Sequence, residues 1–416
     1  MVDDCGDHSD EQNCSSVFHC ESSNEFIPSS QKCNGQVQCS DYTDECGADC
    51  GKKIISGAAL NVVSWTVGIA AVVSNLGKFI GNIRLLMTDQ RLSTLVNISF
   101  GLLINMGDFL TGSYLLSIAV VDTIIYGEKY CKEQYIWLSS SMCSILGVVS
   151  TCGAQISLFS MTLLSIYRLL EVLEFRVHTL RNIPMKVAGL ITTIIAGSLV
   201  IAVGPLMPYY EDLFVNGMTY NPQIKLFLPY VDKQTHLDII KGYYGRIRMD
   251  KIFTWKRINS LIDDMFTHDY QNGTLNRRKI HFYGNDGVCL FKYFVDVNDP
   301  QTGFVWTCLG INLFCFFIVC LCYSIINVKS KNSTENVGRV NQGNERIAQE
   351  RKQTQKNIAI IILTDFVCWV PFIFVCGLHS LDIIDATWTY PIFSLVVLPI
   401  NSVINPLLYG DFSVTR

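Results

Sequence analysis

The sequence predicts an all-α membrane protein: a seven-transmembrane helix bundle with a small disulfide-rich extracellular module at its N-terminus. Three observations predict it. Of 416 residues, 49% are hydrophobic and only 16% are charged, a balance suited to many membrane spans. Seven apolar blocks, near 54–82, 94–126, 139–170, 184–208, 302–328, 355–380 and 386–410, each reach the roughly 20 residues that a membrane helix needs. Seven of the 17 cysteines fall in the first 50 residues, as expected of an oxidising, extracellular setting. A net charge of −4 gives no broad nucleic-acid-binding surface.

Residues 1–50 are polar, acidic and too few for a core of their own, so disulfides, often with a metal, are expected to hold them. The run Asp4-Cys5-Gly6-Asp7-His8-Ser9-Asp10-Glu11 crowds carboxylates onto a stapled loop, the hard oxygen donors that calcium takes. It resembles the end of a low-density-lipoprotein-receptor class A repeat. Residues 1–14 then read as a truncated repeat, and 15–50 as a divergent second one with Phe26 at the third cysteine position. The resemblance implies the pairs Cys20–Cys39 and Cys33–Cys46. It also implies candidate calcium ligands at Asp4, Asp10, Glu11, Asn34, Asp44 and Glu45. Asn34 and Gln38 replace two carboxylates, so calcium binding is expected to be weak or absent. No leader precedes this motif, and a truncated chain or misplaced start is expected.

Seven spans behind such a module put the N-terminus outside and the C-terminus in the cytosol. The basic residues agree. Arg84 and Arg91 follow span one, and Arg176, Arg181 and Lys186 lie between spans three and four. Lys329, Lys331, Arg339, Arg346, Arg351 and Lys352 lie between spans five and six, all on the inner side of this topology. The long outer loop, about 209–300, carries the glycosylation acceptor Asn272-Gly273-Thr274. Within it Ile252, Trp255, Ile258, Ile262 and Met265 share one helical face. They suit a helix packed over the mouth of the bundle, or else a lid or ligand-docking element.

The spans hold no nucleophile–base pair, phosphate loop or close His/Cys cluster, and no enzyme is expected. Instead each contributes one or two polar residues, which at membrane depth face other helices or a wet cavity. Asp108 lies mid-span two. Span three carries Ser157 and ends in Ser165-Ile166-Tyr167-Arg168. Span six reads Asp365-Phe366-Val367-Cys368-Trp369-Val370-Pro371. Span seven contains Leu398-Pro399-Ile400-Asn401-Ser402 and Asn405-Pro406-Leu407-Leu408-Tyr409, where Pro406 removes a backbone hydrogen bond and bends the helix.

Cys-Trp-x-Pro in span six and Asn-Pro-x-x-Tyr in span seven, in register with Asp108 and Arg168, resemble the rhodopsin-type (class A) G-protein-coupled receptors over about 54–410. Further motifs resemble the branch of relaxin and glycoprotein-hormone receptors and related invertebrate orphan receptors. These are Gly112-Ser113-Tyr114-Leu115 with Asp122, Trp137 six residues before Cys143, Asp365, Leu398-Pro399-Ile400-Asn401-Ser402, and Tyr283-Gly284-Asn285-Asp286-Gly287-Val288-Cys289.

The resemblance implies a receptor that passes an extracellular peptide or protein signal to a heterotrimeric G protein at the plasma membrane. It implies a sodium pocket at Asp108, Ser157, Asn401 and Ser402. The implied switch comprises Arg168, Tyr323, Trp369, Pro371, Asn405, Pro406 and Tyr409, and Cys143–Cys289 would join span three to the long loop. Cys131 and Cys50 are left to pair with each other or with the module. Only Gly47–Lys53 stands where relaxin-type receptors carry leucine-rich repeats, so no relaxin-like ligand is implied.

The sequence also departs from the family. Tyr167 stands where an acid usually precedes the arginine, which predicts raised basal signalling or a differently built lock. Span four has no tryptophan near Ile195, Gln155 stands where relaxin-type receptors tend to carry an acid, and Asn75 and Asn82 compete for the family's span-one asparagine. The short eighth helix is expected to be missing or unusual. An adhesion or endocytic receptor with a mainly anchoring bundle is the alternative, against which Arg168, Trp369 and Asn405 argue. A transporter would call for inverted repeats or paired broken helices, which the sequence lacks.

Overall fold

A computed structural model describes residues 17–20, 26–33, 43–46, 53–55, 57–88, 92–173, 183–214, 218–221, 226–229, 280–285, 287–295, 297 and 299–337, and most of 360–408. Six described helices are long and apolar enough to cross a membrane: α1 (Ala58–Thr88), α2 (Leu95–Tyr126), α3 (Ser141–Val172), α4 (Pro184–Leu206), α5 (Thr302–Lys329) and, last in the chain, α7 (Tyr390–Leu407). Between the last two lies a shorter apolar helix, α6 (Phe366–Ser380). Much of the expected sixth span before Phe366, Asp365 included, lies outside the described residues. So does Tyr409.

The bundle is apolar outside and polar inside. Val62, Val73, Val200, Phe314 and Phe317 are well exposed, whereas Asn75, Asn105, Asp108, Ser160, Ser198, Asn312, Asn401 and Asn405 are buried. In lipid that inversion is favourable, because apolar side chains lose nothing to the tails and polar ones find partners between helices. α3 lies at the centre and packs on α2, α4 and α5. Its closest approach is to α2, at two facing glycines. A methyl group on Gly107 would stand 2.5 Å from the carbonyl oxygen of Gly153, and one on Gly153 would stand 2.7 Å from that of Gly107. Only glycine lets the backbones meet there.

α7 is irregular. A π turn spans Phe393–Val397, a turn at Leu398-Pro399 follows, and a regular helix resumes over Ile400–Leu408 with Pro406 inside it. The break thus lies before Asn401, and not at Pro406 as expected, where the helix continues.

The long loop returns across one end of the bundle. Cys143 at the start of α3 is joined to Cys289. The segment after it runs inward, with Phe291 and Val295 only 2% exposed. Aromatic donors strap this loop by its backbone. The Tyr114 hydroxyl donates to the Val288 carbonyl at 2.6 Å, Trp137 Nε1 to the Gly287 carbonyl at 2.7 Å, and the Tyr390 hydroxyl to the Phe291 carbonyl at 2.7 Å. In return Tyr283 donates to the Ala202 carbonyl on α4 at 2.6 Å. Each bond satisfies a buried carbonyl that would otherwise be left unpaired.

At the same end, Ile54 and Ile55 just before α1 are 4% and 1% exposed, within a core that includes Tyr114, Ile118, Trp137 and Val288. Asp122 on α2 accepts from the Ile55 backbone N–H at 3.2 Å and from Asn61 Nδ2 at 2.8 Å. The N-terminal module contributes a two-stranded antiparallel hairpin, Val17–His19 with Phe26–Pro28, and a short helix, Thr43–Cys46.

One expected disulfide is corrected. Cys46 pairs with Cys131, which lies on the short helix Tyr130–Leu138 between α2 and α3, and not with Cys33. The link brings together residues 85 positions apart, a neighbourhood that cysteine spacing within one repeat does not reveal. Cys20 and Cys33 are each disulfide-bonded, and Cys39 and Cys50 lie outside the described residues.

Candidate functional site

The polar residues singled out from the sequence converge on one place in the bundle interior. The turn before Ile400 and the glycine contact between α2 and α3 bring α2, α3 and α7 together around Asp108. Asn405 Nδ2 donates to Asp108 Oδ2 at 2.9 Å. Ser157 and Ser402 line the same cavity beside this carboxylate. Asn401 accepts from the Cys368 thiol at 3.6 Å, which couples α7 to α6. Asn75 fills the remaining side, donating to the Ser402 carbonyl at 2.7 Å. Of the two span-one candidates, Asn75 is therefore the interior residue.

A cavity of roughly 60 Å³ opens here. It is lined by Asp108, Thr111, Ser157, Asn401, Ser402 and Asn405 below and by Leu290, Tyr293 and Trp369 above. That is room for an ion or a few waters. The donor set is one carboxylate and several neutral oxygens, the hard ligands of an alkali or alkaline-earth cation. Asn405 Oδ1 faces no protein partner. A buried carboxylate with only neutral neighbours calls for a counter-charge or a proton, and these residues fit a small monovalent cation.

Above the cavity, aromatic contacts run from α6 to the long loop. Trp369 packs on Phe316 and Phe372, each with ring centroids 6.0 Å apart, and Phe372 meets Tyr293 edge-on at 4.9 Å. Tyr293 and Leu290 thus occupy the space directly over Trp369, filled by the chain itself. Pro371 is exposed on the outer face of α6, and Pro406 is buried on α7.

At the far end of α3, Arg168 lies 4.0 Å from Glu171, with each side chain 23% exposed. Tyr167, buried on the same helix, lies near that carboxylate. Tyr323 on α5 packs with Val319 and Ile326 against Leu169 and Val172 of α3, close enough to feel the Arg168 charge. Reading the sequence missed Glu171, because it follows the arginine where the family's acid precedes it. Its spacing of three residues from Arg168 was the available signal.

Of the candidate calcium residues only Asp44 is described in full, a buried residue whose backbone carbonyl accepts from the Cys33 N–H at 2.9 Å. Asp4, Asp10, Glu11 and Asn34 lie outside the described residues, as do the Glu45 side chain and the glycosylation acceptor Asn272. The apolar stripe from Ile252 to Met265 also lies outside them.

Residues 267–409 match the family "7 transmembrane receptor (rhodopsin family)". Over 376 residues the chain is 25% identical to "G-protein coupled receptor GRL101" of Lymnaea stagnalis, covering 90% of this chain and 26% of that protein. It is 22% identical to "Relaxin receptor 2" of Canis lupus familiaris, covering 89% of this chain and 40% of that one. It is 23% identical over 365 residues to "Lutropin-choriogonadotropic hormone receptor" of Homo sapiens, covering 86% and 38%. The chain spans well under half the length of these relatives.

Proposed function

We propose that this chain is a rhodopsin-family seven-transmembrane receptor, as the match over residues 267–409 supports, and that it carries an extracellular peptide or protein signal across the plasma membrane to a heterotrimeric G protein. The observation that carries the reading is the pairing of a polar, cavity-forming core at Asp108 with a cation, Arg168, at the opposite end of the same bundle. A helix bundle serving only as an anchor has no use for a buried carboxylate, which costs several kcal/mol to keep dry. It has use for one if the helices have two arrangements that a ligand can bias.

Asp108, Ser157, Asn401 and Ser402 would hold a sodium ion, which supplies the counter-charge for the carboxylate. Asn405 meanwhile orients the Asp108 carboxylate from α7, and Asn75 ties the Ser402 backbone to α1. A shift of α7 about Leu398-Pro399 and Pro406 would change both contacts together. Trp369 and Phe372 connect that core to Tyr293, so movement of the outer loop is felt at α6. Because Leu290 and Tyr293 fill the space above Trp369, a large ligand acting from outside on the loop and the N-terminal module suits this bundle better than a small molecule. In this orientation the N-terminus and the Cys143–Cys289 end face outward, and Arg168 faces the cytosol. The N-terminal repeats read as a docking or structural element, with calcium weak or absent.

The test is nucleotide exchange on purified G proteins by membranes carrying the full-length chain, compared with Arg168→Ala at equal surface expression. Exchange that depends on Arg168 is expected. Equal exchange in both would favour an adhesion or endocytic receptor with an anchoring bundle.

A further inference from the structure

We infer that Leu290 and Tyr293 of the long loop gate the passage between the outer face and Asp108, so that the loop sets how fast a cation enters and leaves the core. This gate presupposes the cation site read above and adds the residues that control access to it. Three observations carry it. The cavity beside Asp108 does not end at the carboxylate, and its lining also includes Tyr114, Ser150, Thr151 and Ser394. Tyr114 lies six residues from Asp108 on α2, and Thr151 six from Ser157 on α3, each about 9 Å nearer the loop. Thr151 Oγ1, Asn401 Nδ2 and Asn405 Oδ1, on residues that line this cavity, are buried without a hydrogen-bond partner among the described residues. Buried polar atoms in that state mark a place that water or an ion completes. Among the described lining residues, all belong to the bundle helices except Leu290 and Tyr293.

A small cation loses favourable hydration wherever it passes apolar side chains, and narrow apolar constrictions close a pore by excluding water. Thr111, Ser150 and Thr151 offer oxygens along the inner part of the route. Leu290 offers none, and the Tyr293 ring packs edge-on against Phe372 at 4.9 Å. The two side chains belong to residues only 6% and 7% exposed. Their segment is held along its length. The Tyr114 hydroxyl holds the Val288 carbonyl before Leu290, and the Tyr390 hydroxyl holds the Phe291 carbonyl between the two. Lys292 Nζ donates to Asp299 Oδ2 at 3.0 Å, which ties the segment to the turn before α5. A cation crossing here must wait until the strapped segment lifts or the two side chains swing aside.

The experiment uses the purified full-length protein in nanodiscs, with sodium chloride as the probe. Sodium nuclear magnetic resonance reads the exchange rate, because slowly released ions broaden the free-sodium line in proportion to their release. The thermal shift in sodium over choline chloride reads occupancy at equilibrium. A gate changes the entry and exit barriers alike. Tyr293→Ala and Leu290→Ala are therefore each expected to speed release about tenfold or more, with the half-saturating sodium concentration moving less than about twofold. Tyr293→Phe, which keeps the ring, and Val297→Ala, on the exposed part of the loop, should match wild type in both readings. Unchanged release in both alanine variants overturns the gate while leaving the cation site intact. Faster release matched by an equal loss of affinity marks a packing defect and also counts against the gate. Should Tyr293→Ala fail to fold, Leu290→Ala decides alone. Wild-type protein with no sodium-dependent thermal shift, or a shift that survives in Asp108→Asn, overturns the cation reading itself.

Discussion

Asn405 on α7 donates its Nδ2 proton to Oδ2 of Asp108 on α2 at 2.9 Å, across 297 residues of sequence. The bond joins the irregular helix to the one carboxylate that is buried at the bundle's centre among the described residues, beside a cavity large enough for a small cation. An ion that binds only the folded, resting arrangement stabilises it by mass action. Purified wild-type protein is therefore expected to melt about 2–5 °C higher in sodium chloride than in choline chloride of equal ionic strength. Asp108→Asn should abolish that difference. A sodium-dependent rise of the same size in Asp108→Asn would mean that the ion binds elsewhere.

The contact of α2 with α3 depends on Gly107 and Gly153, whose missing side chains leave room for each other's carbonyls. A methyl group at Gly107 meets backbone, which cannot yield as a flexible side chain can, so the helices must part. Overpacking of this kind costs about 1–3 kcal/mol or more. It should also move Ser157 away from Asp108. Gly107→Ala is expected to lower surface expression and thermal stability clearly. Gly77 on α1 has open space where its side chain would be, and Gly77→Ala should be neutral or slightly stabilising. Equal behaviour of the two variants in a thermal-shift assay would refute the close-contact argument.

The loop over the bundle is tied down through its backbone. Tyr114→Phe removes one hydroxyl and leaves the buried Val288 carbonyl without that donor. The expected cost is about 1–3 kcal/mol, with faster amide hydrogen exchange confined to the segment around residues 287–291. Trp137→Phe should act on the same segment through Gly287. If exchange in that segment matches wild type in both variants, the straps are not what holds the loop.

Much of this arrangement was legible because membrane burial leaves a strong trace in the sequence. Polar residues are costly at bilayer depth, so Asp108, Ser157, Asn401 and Ser402 stood out against apolar runs, and the structure brings them around one cavity. The branch-specific residues could be seen but not explained. Trp137 and the run Tyr283 to Cys289 turn out to be two sides of one strap, and Asp122 a cap on the Ile55 backbone, relationships set by distance in space. Asn75 and Asn82 could not be separated by sequence, since both sit on an apolar helix; only the approach of Ser402 distinguishes them. Glu171 was hidden for a different reason. A glutamate at the end of a membrane helix reads as an ordinary interfacial charge until its distance to Arg168 is known.

The disulfide between Cys46 and Cys131 changes what the N-terminal module can do. Pairing within the repeat, Cys33 with Cys46, would not itself tie the module to the bundle. The observed link fastens it a second time, to the short helix Tyr130–Leu138, whose Trp137 straps the long loop. A force on the module would then reach the loop by two routes, through Ile54–Ile55 and through Cys131. Digestion of the non-reduced protein followed by mass spectrometry should yield one cross-linked species containing the Cys46 and Cys131 peptides. Cys131→Ser should eliminate it and leave Cys143–Cys289 intact. A cross-link between the Cys33 and Cys46 peptides in wild-type protein would restore the pairing inferred from the repeat.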